Sequence, residues 1–357
     1  MKKRDRLFVE VVVGLLLITA AVYFFVGTGQ ESIWPAERID LDSGMRLTMG
    51  TFCHVVAVAN DEATAKGAIN AAFEQLNKVE KLMSTHRADS EISRVNAMAA
   101  KKPVLVSEPT FRVMEKAVAF ARLSDGAFDI TVGPLIELWQ QAELVGAVPA
   151  QDELKRVQAV VGYDKLLLDA NDLTVRFAVD GMKLDVGGIA KGFAIDSAIV
   201  AMKKAGAIGG LVDVGGDMSC FGAPPKGAQN WRIGLQDSRR SAEGPVENGK
   251  LLLVLCLNDV AVATSGDYRR FIVIEGQIFS HIIDTQTGRA DSEFSSATII
   301  CPAAVDADAL ATAVSVLGRE KGLELVESLP DTEAILITAA PDYKLFKTSG
   351  AEQYVEK

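Results

Sequence analysis

Apolar residues recur at two spacings along this chain, and each spacing predicts a different kind of element. From Glu62 to Met83 they return every three or four positions, which is the period of an amphipathic helix. Glu108 to Leu123 repeats that period and is followed by Asp125-Gly126, a turn signal that ends a helix. Two further helices are predicted over residues 193–204 and 305–317.

Short runs rich in β-branched residues predict strands between these helices. They cover residues 46–59, 166–168, 175–177, 210–220, 231–235, 250–257, 261–264, 271–274, 277–282 and 334–338, with a hairpin turn at Glu275-Gly276. The polar stretch MSTHRADSEISRVN (83–96) is expected to be a loop, and AFDITVGPL (127–135) to be interrupted at Gly133-Pro134. Because strands and helices do not alternate regularly, the pattern favours an α+β fold over a doubly wound α/β sheet.

The N-terminus has a pattern of its own. MKKRDR carries four cationic residues, and the run from Leu7 to Val26 is apolar except for Glu10. At about 1.5 Å per residue, a helix of this length spans roughly 30 Å, the thickness of bilayer hydrocarbon. The basic end should stay in the cytoplasm, so that the chain beyond the helix is exported.

This pattern divides the chain into four parts. We expect residues 1–30 to be a basic tip and a transmembrane helix that anchors the chain as a single-pass inner-membrane protein. Residues 31–45 are then a linker, 46–345 a domain on the periplasmic side, and 346–357 a C-terminal tail. A cleaved signal peptide is the alternative for the first segment.

Charge and cysteine content narrow the function classes. The 357-residue chain has a formal net charge of −10, a pI near 5.0 and no long basic stripe, so a nucleic-acid partner is not expected. The four cysteines lie in apolar, strand-like segments and form no C-x-x-C pair: Cys53, Cys220, Cys256 and Cys301. We interpret them as packed core side chains rather than zinc ligands, and leave disulfide pairing open.

Three stretches carry residues suited to chemistry. The first, LDVGGIAKGFAID (184–196), places two glycines and Lys191 where a strand gives way to a helix. Glycine lets the backbone approach a ligand closely, and a helix N-terminus beside a lysine favours an anion such as a phosphate. The Walker spacing is absent, and a plain glycine-containing turn is the alternative.

The second stretch, VDADALATAVSVLG (305–318), puts Asp308 and Thr312 four residues apart on one helix face. Two hard oxygens, together with waters and substrate phosphates, suit Mg²⁺. The alternative is that Asp308 stabilises the helix N-terminus and that Thr312 is a packed surface residue.

The third stretch, SHIIDTQTGRA (280–290), ends a predicted strand with His281 and Asp284 before a polar turn. An exposed histidine at a strand end can serve as a general base, although a histidine held by local hydrogen bonds is the more common case. Of the other two histidines, His54 lies in a strand-like segment and is expected to be structural. The role of His86, in the polar loop, stays open.

In chain order the sequence contains TMGTFCHV, MSTHRADSEISRVN, GAFDITVGPL, LDVGGIAKGFAID, LVDVGGDM, ATSGDYRRF, SHIIDTQTGR and DADALATA. Together these segments, over about residues 47–317, resemble the ApbE family of FAD:protein FMN transferases. The resemblance implies one T-fold-related α+β catalytic domain and a Mg²⁺-dependent enzyme. Such an enzyme cleaves the pyrophosphate of FAD, attaches FMN by a phosphoester bond to a threonine or serine of a partner protein, and releases AMP. The implied acceptor is an exported or membrane-bound redox protein with an FMN-binding domain.

The resemblance also implies roles for single residues. The implied metal site comprises the side chains of Asp308 and Thr312 and the backbone carbonyl of Gly188. The implied contacts with the flavin nucleotide are Met49, His86, Ala127, Phe128, Asp129, Asp185, Lys191 and Ile282, with Lys191 near phosphate. His281 matches the histidine suggested as the base for the acceptor hydroxyl, and Asp284 is expected to orient it.

The sequence departs from the family at two positions. His86 stands where Trp or Tyr is usual, and imidazole offers less area for stacking on a nucleotide. Thr285 stands where proline usually follows the aspartate, which is expected to loosen the turn.

Two other functions stay open on the sequence. One is a Mg²⁺-dependent FAD pyrophosphatase, in which water replaces the acceptor hydroxyl. The other is a non-enzymatic flavin-binding protein, which the joint presence of Asp308, Thr312, Lys191 and His281 disfavours because a binding protein needs no base.

Overall fold

The computed structural model describes residues 38–238, 240–241, 244–245, 251–266, 271–290 and 293–357. In this part of the chain the helices are α1 (Glu62–Met83), α2 (Glu91–Met98), α3 (Glu108–Leu123), α4 (Gly133–Val145), α5 (Gln151–Gln158), α6 (Ala190–Lys204) and α7 (Ala304–Glu327). The backbone of α7 is interrupted at Gly318, whose φ of 77° and ψ of 179° are not helical.

The strands are β1 (Ile39–Asp42), β2 (Arg46–Thr48), β3 (Thr51–Ala59), β4 (Val104–Leu105), β5 (Leu166–Asp169), β6 (Thr174–Phe177), β7 (Gly209–Val214), β8 (Asp217–Gly222), β9 (Trp231–Gln236), β10 (Arg240–Ser241), β11 (Gly244–Pro245), β12 (Leu251–Leu257), β13 (Ala261–Ser265), β14 (Phe271–Ile274), β15 (Gln277–Ser280), β16 (Phe294–Cys301), β17 (Glu333–Thr338) and β18 (Leu345–Lys347).

Among the described residues, nine strands form one antiparallel sheet. Its order is β1-β3-β7-β8-β13-β16-β17-β18, and β2 also pairs with β3. Successive residues of a strand point to opposite faces of the sheet. In β3, Val55 and Ala57 enter the core on one face, and Val56 and Val58 enter the core on the other. The sheet therefore lies between two apolar layers.

Three helices cover the first face of the sheet. α1 packs against α6, α6 packs against α7, and α7 lies on β13 and β16. The apolar positions that predict these helices are the ones that meet there, including Ile69 and Leu76 of α1, Ile195 and Met202 of α6, and Leu310 of α7. Burial of these stripes provides most of the stability of such helices.

The opposite face is covered by the β9–β12 hairpin and the C-terminal segment. Trp231 is 1% exposed in this second core. Val355 forms an isolated bridge with Leu255, and the Glu356 amide donates to the Val254 carbonyl at 2.9 Å. The last residues of the chain are therefore part of the folded domain.

Strand pairing extends past both ends of the predicted catalytic domain, 46–345. β1 lies in the predicted linker (31–45) and pairs with β3, while β18 crosses into the predicted tail (346–357) and pairs with β17. The sequence contained no periodicity long enough to show either pairing, because each strand has only three or four residues.

A third, smaller core lies beside the sheet. It joins Leu135 and Trp139 of α4, Leu154 of α5, and Ile272 and Ile274 of the β14–β15 hairpin. The ring of Trp139 also lies 5.1 Å from that of Phe279, measured between centroids. This core supports the hairpin that leads directly to His281.

Two segments differ from their sequence predictions. The polar loop expected over 83–96 contains α2, because the Ser90 hydroxyl accepts from the Ser93 amide at 3.0 Å and caps a helix that buries Ile92 and Val95. The interruption expected at Gly133-Pro134 is the first turn of α4, a position where proline is well tolerated.

Two predicted strands are hairpins. The strand expected over 46–59 turns at Met49 and Gly50, and the one expected over 210–220 turns at Gly215 and Gly216; all four residues have positive φ. Each turn has only two residues between segments that are both strand-like, so each hairpin resembles one long strand, although Gly215-Gly216 is itself a hairpin signal.

The remaining expectations concern the membrane and the thiols. No helix in the residues that the structure describes is long and apolar enough to cross a membrane, and the predicted anchor (1–30) lies outside those residues. All four cysteines are free thiols, and burial raises the pKa of Cys53, Cys220 and Cys301 to about 12. The interpretation of these three as packed core side chains is confirmed.

Candidate active site

The glycine-containing loop before α6 (residues 185–189) is the centre of the site, and backbone contacts fix its position. The Asp185 amide donates to the Ile130 carbonyl at 2.8 Å, and the Asp185 carboxylate accepts from the Gly187 amide at 2.8 Å. Asn96 of α2 bonds both the amide and the carbonyl of Leu184, at 2.7 and 3.0 Å. The loop before the helix is therefore held from two sides, whereas the strand expected before it is only an isolated bridge between Lys183 and Val132.

Gly188 and Thr312, both predicted at the metal site, are neighbours. A Cβ atom added to Gly188 would lie 2.9 Å from Thr312 Oγ1 and 3.3 Å from the ring of Phe128. A larger residue at 188 would push on both side chains. Glycine thus lets the backbone of the loop approach a hydroxyl of α7 closely.

Asp308, the third predicted metal residue, is buried one turn before Thr312 on α7. Its Oδ2 accepts from the Gly192 amide at 3.0 Å, and its Oδ1 lies 3.6 Å from the Lys191 ammonium. Burial raises the pKa of Asp308 to about 6, although the nearby Lys191 cation opposes the shift. The close packing of α6 on α7 requires Gly192, because a Cβ there would lie 2.2 Å from the Ala304 carbonyl oxygen.

Lys191 also forms an ion pair that the sequence analysis did not assign. Its ammonium bonds Asp217 Oδ2, and Asp217 Oδ1 accepts from the Thr264 amide at 3.0 Å. Asp217 is 2% exposed, so this carboxylate is removed from water and paired on both oxygens. Its only sequence signal was an aspartate directly after the Gly-Gly turn of LVDVGGDM.

A second carboxylate missed by the sequence analysis positions α7. The residue before this helix is Ala303, whose side chain cannot cap it. Asp196 of α6 takes that role, accepting from the Ala304 and Val305 amides at 2.9 and 3.0 Å. Burial raises the pKa of Asp196 despite these two bonds. Asp196 therefore joins the two helices that carry Lys191 and Asp308.

Residues 127–129 follow the turn that ends α3, and they lie beside the glycine loop. Ala127 and Phe128 are buried, and the Phe128 ring meets that of Phe120 edge-on at 6.3 Å. Asp129 is 7% exposed, and its carboxylate accepts from the Thr131 and Tyr163 amides at 2.8 and 2.7 Å. Desolvation raises the pKa of Asp129. These contacts give Asp129 a structural role, and its contact with a nucleotide stays a prediction.

His281 follows β15 directly and is half-buried, with Ile282 buried beside it. Asp284 is engaged within its own turn, where Oδ1 accepts from the Gln286 amide at 2.8 Å and Oδ2 from the Thr287 hydroxyl at 2.7 Å. In this structure Asp284 therefore stabilises its own turn. That Asp284 orients His281 stays a prediction.

Met49 and His86 lie on turns at the periphery. Met49 has a φ of 54° in the β2–β3 turn, which adjoins the turn before Asp217 because the Gly215 amide donates to the Phe52 carbonyl at 2.9 Å. His86 is exposed between α1 and α2. No hydrogen bond among the described residues joins its imidazole to another predicted site residue.

The donor set of Gly188, Asp308 and Thr312 consists of a carbonyl, a carboxylate and a hydroxyl. Hard oxygens of this kind fit Mg²⁺, which commonly keeps several waters and uses one or two carboxylates. In the parts of the chain that the structure describes, no group of three or more His, Cys, Asp or Glu side chains could hold a metal ion. A cation bound here would therefore depend on water or ligand oxygens as well.

Comparison with known proteins places the chain among flavin transferases. The model of the ApbE family matches residues 49–336. The FAD:protein FMN transferase of Treponema pallidum is 32% identical over 352 residues, covering 93% of this chain and 95% of the relative. That of Vibrio cholerae is 30% identical over 333 residues, covering 90% and 94%.

Solved structures show the same similarity. The ApbE protein from Thermotoga maritima superposes with a TM-score of 0.76 at 29% identity, covering 90% of this chain and all of the other. The flavin transferase ApbE from Vibrio cholerae superposes with a TM-score of 0.74 at 30% identity, with the same coverage.

Proposed function

This chain belongs to the ApbE family, and from that premise we propose that it is a Mg²⁺-dependent FAD:protein FMN transferase anchored in the inner membrane. Its reaction is an enzymatic flavinyl transfer with FAD as substrate and a protein as acceptor. The proposal adds a dependence on Mg²⁺, attack by a threonine or serine hydroxyl, and an extracytoplasmic location.

In the proposed reaction, the acceptor hydroxyl oxygen attacks the phosphorus on the FMN side of the FAD pyrophosphate. A new P–O bond forms to the acceptor, the bond to the bridging oxygen breaks, and that oxygen leaves with AMP. His281 takes the hydroxyl proton, as a half-buried base at a strand end can do. Lys191 stabilises negative charge on the phosphates.

The residues that would hold Mg²⁺ are Gly188 through its carbonyl, Asp308 and Thr312. When bound, the ion supplies charge neutralisation on the pyrophosphate and its leaving group. Asp217 would keep the Lys191 ammonium in place from the other side, since it pairs with that ammonium while bonding the Thr264 amide.

One observation carries this proposal. Lys191, Asp308, Thr312 and Gly188 come from two helices and one loop, yet Lys191 lies 3.6 Å from Asp308 and Gly188 lies against Thr312. A carrier that only bound flavin would not need a buried carboxylate held between a lysine and a helix amide, because that arrangement is costly to desolvate.

The membrane anchor and the extracytoplasmic location rest on the sequence pattern of the first 30 residues. Added protease should digest the domain in spheroplasts but not in intact cells, and the chain should stay in the membrane fraction after a high-salt wash. Release of the domain into the soluble periplasm would instead indicate a cleaved signal peptide.

The transferase is tested with the full chain in detergent, FAD, Mg²⁺ and an FMN-binding acceptor domain that carries a candidate threonine. Intact mass should show a gain on the acceptor of one FMN less water, which EDTA abolishes. AMP and free FMN without a gain on the acceptor would indicate a pyrophosphatase, and neither product would indicate a flavin-binding protein.

Asp308→Ala should abolish turnover, because the buried carboxylate of the metal site is lost. Asp306→Ala is the matched control, since Asp306 lies two residues earlier on α7 and pairs with Lys116 at 2.6 Å. Equal loss of activity in both variants would show damage to the helix rather than to a metal site.

A further inference from the structure

The histidine segment (residues 281–290) is folded back on itself by backbone hydrogen bonds. The Ser280 amide donates to the Ala290 carbonyl at 2.7 Å, and the Asp284 amide to the Arg289 carbonyl at 2.9 Å. The Gly288 amide then closes the turn by donating to the Asp284 carbonyl at 2.7 Å. These bonds shape the turn but do not attach it to the rest of the site.

Side chains attach one side of this turn to the third core. Trp139 Nε1 of α4 donates to the Gly288 carbonyl at 2.9 Å, and Gln158 Nε2 of α5 donates to the Gln286 carbonyl at 2.5 Å. Trp139 is 2% exposed, so this anchor is rigid. These two bonds fix the position of the histidine segment relative to α4 and α5.

Two other side chains attach the same turn to the site. Thr285 Oγ1 donates to the Gly126 carbonyl at 2.7 Å, and Gln286 Nε2 donates to the Asp125 carbonyl at 2.6 Å. Both acceptors lie in the turn that ends α3 and directly precedes the 127–129 run. Backbone bonds close this turn, because the Gly126 amide donates to the Ala121 carbonyl at 2.7 Å and the Ala127 amide to the Ser124 carbonyl at 3.1 Å.

Of these two bonds, the one from Thr285 comes from a half-buried hydroxyl, and it joins the histidine segment to Gly126, the residue before Ala127. A proline at this position could not make it. The absence of a proline at 285 predicts a looser turn, whereas in the structure the Thr285 side chain attaches the turn to Gly126.

We propose that Thr285 is a positioning residue, whose hydroxyl fixes the segment that carries His281 against the 127–129 run. This inference rests on the proposed function, in which His281 removes the proton of the acceptor hydroxyl. A base must lie within hydrogen-bond reach of that proton, and small displacements of a reacting group are costly to the rate. The effect should therefore be larger on turnover than on the binding of FAD, which Ile282 of the same segment is predicted to contact.

The test compares Thr285→Val with Thr285→Ser in the full chain. Valine keeps the shape and loses the donor, so the kcat of FMN transfer should fall about tenfold or more while the KM for FAD changes less than twofold. Serine keeps the donor and should restore kcat to within about threefold of the unaltered chain. Thr332→Val is the matched control, because Thr332 Oγ1 also donates to a carbonyl, that of Pro330 at 2.9 Å, far along the chain.

A second readout does not require activity. Hydrogen exchange of the Asp284 and Gly288 amides should be faster in Thr285→Val than in Thr285→Ser or in the control, because the turn loses its attachment. Unchanged exchange in Thr285→Val would overturn the proposal, because the hydroxyl would then not hold the turn. Equal impairment of the serine and valine variants would also overturn it, since the methyl group rather than the hydroxyl would then matter.

The two readouts separate this inference from the proposed function. If the unaltered chain transfers no FMN, the proposed function fails, and the exchange rates still decide whether Thr285 holds the turn. If transfer occurs and Thr285→Val is as fast as the unaltered chain, the function stands and the positioning role is wrong.

Discussion

At the scale of single residues, the site holds two buried carboxylates on either side of one half-buried ammonium. Asp308, Lys191 and Asp217 alternate in sign, and the lysine lies between the two carboxylates. Removing one member leaves the others buried and uncompensated, which usually costs more than the pair contributes. Substitutions that remove a charge but keep the shape of the side chain therefore test these groups with the least damage to the fold.

Asp217→Asn should reduce kcat/KM for FAD by about ten- to a hundredfold, because Lys191 loses a charge-assisted hydrogen bond. The amide oxygen of asparagine can still accept from the Thr264 amide, so the fold should be kept. Steady-state kinetics checks the effect. Asp259→Asn is the control, since Asp259 is exposed and caps the other end of β8 by accepting from the Gly222 amide at 3.1 Å. An equal loss in the control would contradict a role for the Lys191 pair.

Binding of Mg²⁺ should weaken as the pH falls through about 6. Burial raises the pKa of Asp308 in the folded protein from 3.8 to about 6. Between these two pH values the metal-free folded protein therefore keeps a proton on Asp308 that the unfolded chain has lost. The stability from this proton is present at low pH and is lost as the pH rises through about 6, where the freed carboxylate becomes available to the metal.

Thermal unfolding with and without Mg²⁺ measures this competition. The rise in Tm on adding Mg²⁺ should be larger at pH 7.5 than at pH 5, and Asp308→Asn should remove the difference. A rise in Tm that is the same at both pH values would indicate that Asp308 is not a ligand.

His281→Ala should keep the affinity for FAD and lose at least about a hundredfold in transfer rate, as expected when a general base is removed. Flavin fluorescence measures the affinity, and intact mass of the acceptor measures the rate. His54→Ala is the matched control, because His54 lies in β3 and pairs with Asp42 at 2.7 Å. Normal transfer by His281→Ala would show that another group is the base.

At the scale of elements, the site depends on how α6 and α7 begin. α7 carries Asp308 and Thr312 but has alanine at its N-cap, so the Asp196 carboxylate of α6 caps it instead. In return, the first turn of α6 presents the Gly192 amide to Asp308. The two helix N-termini are thus joined by carboxylates in both directions, which fixes their spacing better than apolar packing alone.

Asp196→Ala should lower the free energy of unfolding by about 1–3 kcal/mol, because two backbone amides at the start of α7 lose their acceptor. It should also raise the Mg²⁺ concentration needed for half-maximal activity, since the register of α7 against α6 is relaxed. Chemical denaturation and a Mg²⁺ titration check both effects.

Asp61→Ala serves as the control for this change. Asp61 caps α1 by accepting from the Thr64 amide at 2.8 Å, and α1 carries none of the predicted metal residues. Its loss should cost about 1 kcal/mol and leave the Mg²⁺ requirement unchanged. Equal Mg²⁺ requirements in the two variants would show that the Asp196 cap has no influence on the site.

At the scale of the whole molecule, the sheet separates the core beside the site from a second core on its other face. The helices and loops of the site lie on one face, with Phe128, Leu184 and Ile189 in that core. The other face is covered by Trp231, Leu255 and the C-terminal segment. Changes to the second core should therefore alter stability without altering the chemistry directly.

Deletion of residues 350–357 tests this separation. It removes the buried Ala351, the bridge of Val355 to Leu255 and the ion pair of Glu356 with Arg232 at 2.7 Å. We expect a loss of roughly 2–5 kcal/mol in the free energy of unfolding, from exposed apolar surface and lost backbone bonds. The KM for FAD at a temperature well below unfolding should stay within about twofold, and a large rise would show that the two faces are coupled.

The sequence by itself determined the elements whose apolar spacing is long and regular. α1 and α3 were predicted with the bounds that the structure shows, and the prediction for α7 ended at 317, beside the interruption at Gly318. Ordered motifs also identified the family and most of the residues that meet in the site. Such features are local, so a window of ten to twenty residues contains them.

Only the tertiary structure decided what joins those motifs. The pairing of Lys191 with Asp217, the cap that Asp196 provides for α7, and the bond from Thr285 to Gly126 each connect residues 26 to 159 positions apart. No periodicity contains such contacts, because they arise only when the sheet brings its loops and helix ends together. The physical reason is that a hydrogen bond needs two partners within about 3 Å, and the folded backbone alone sets that distance.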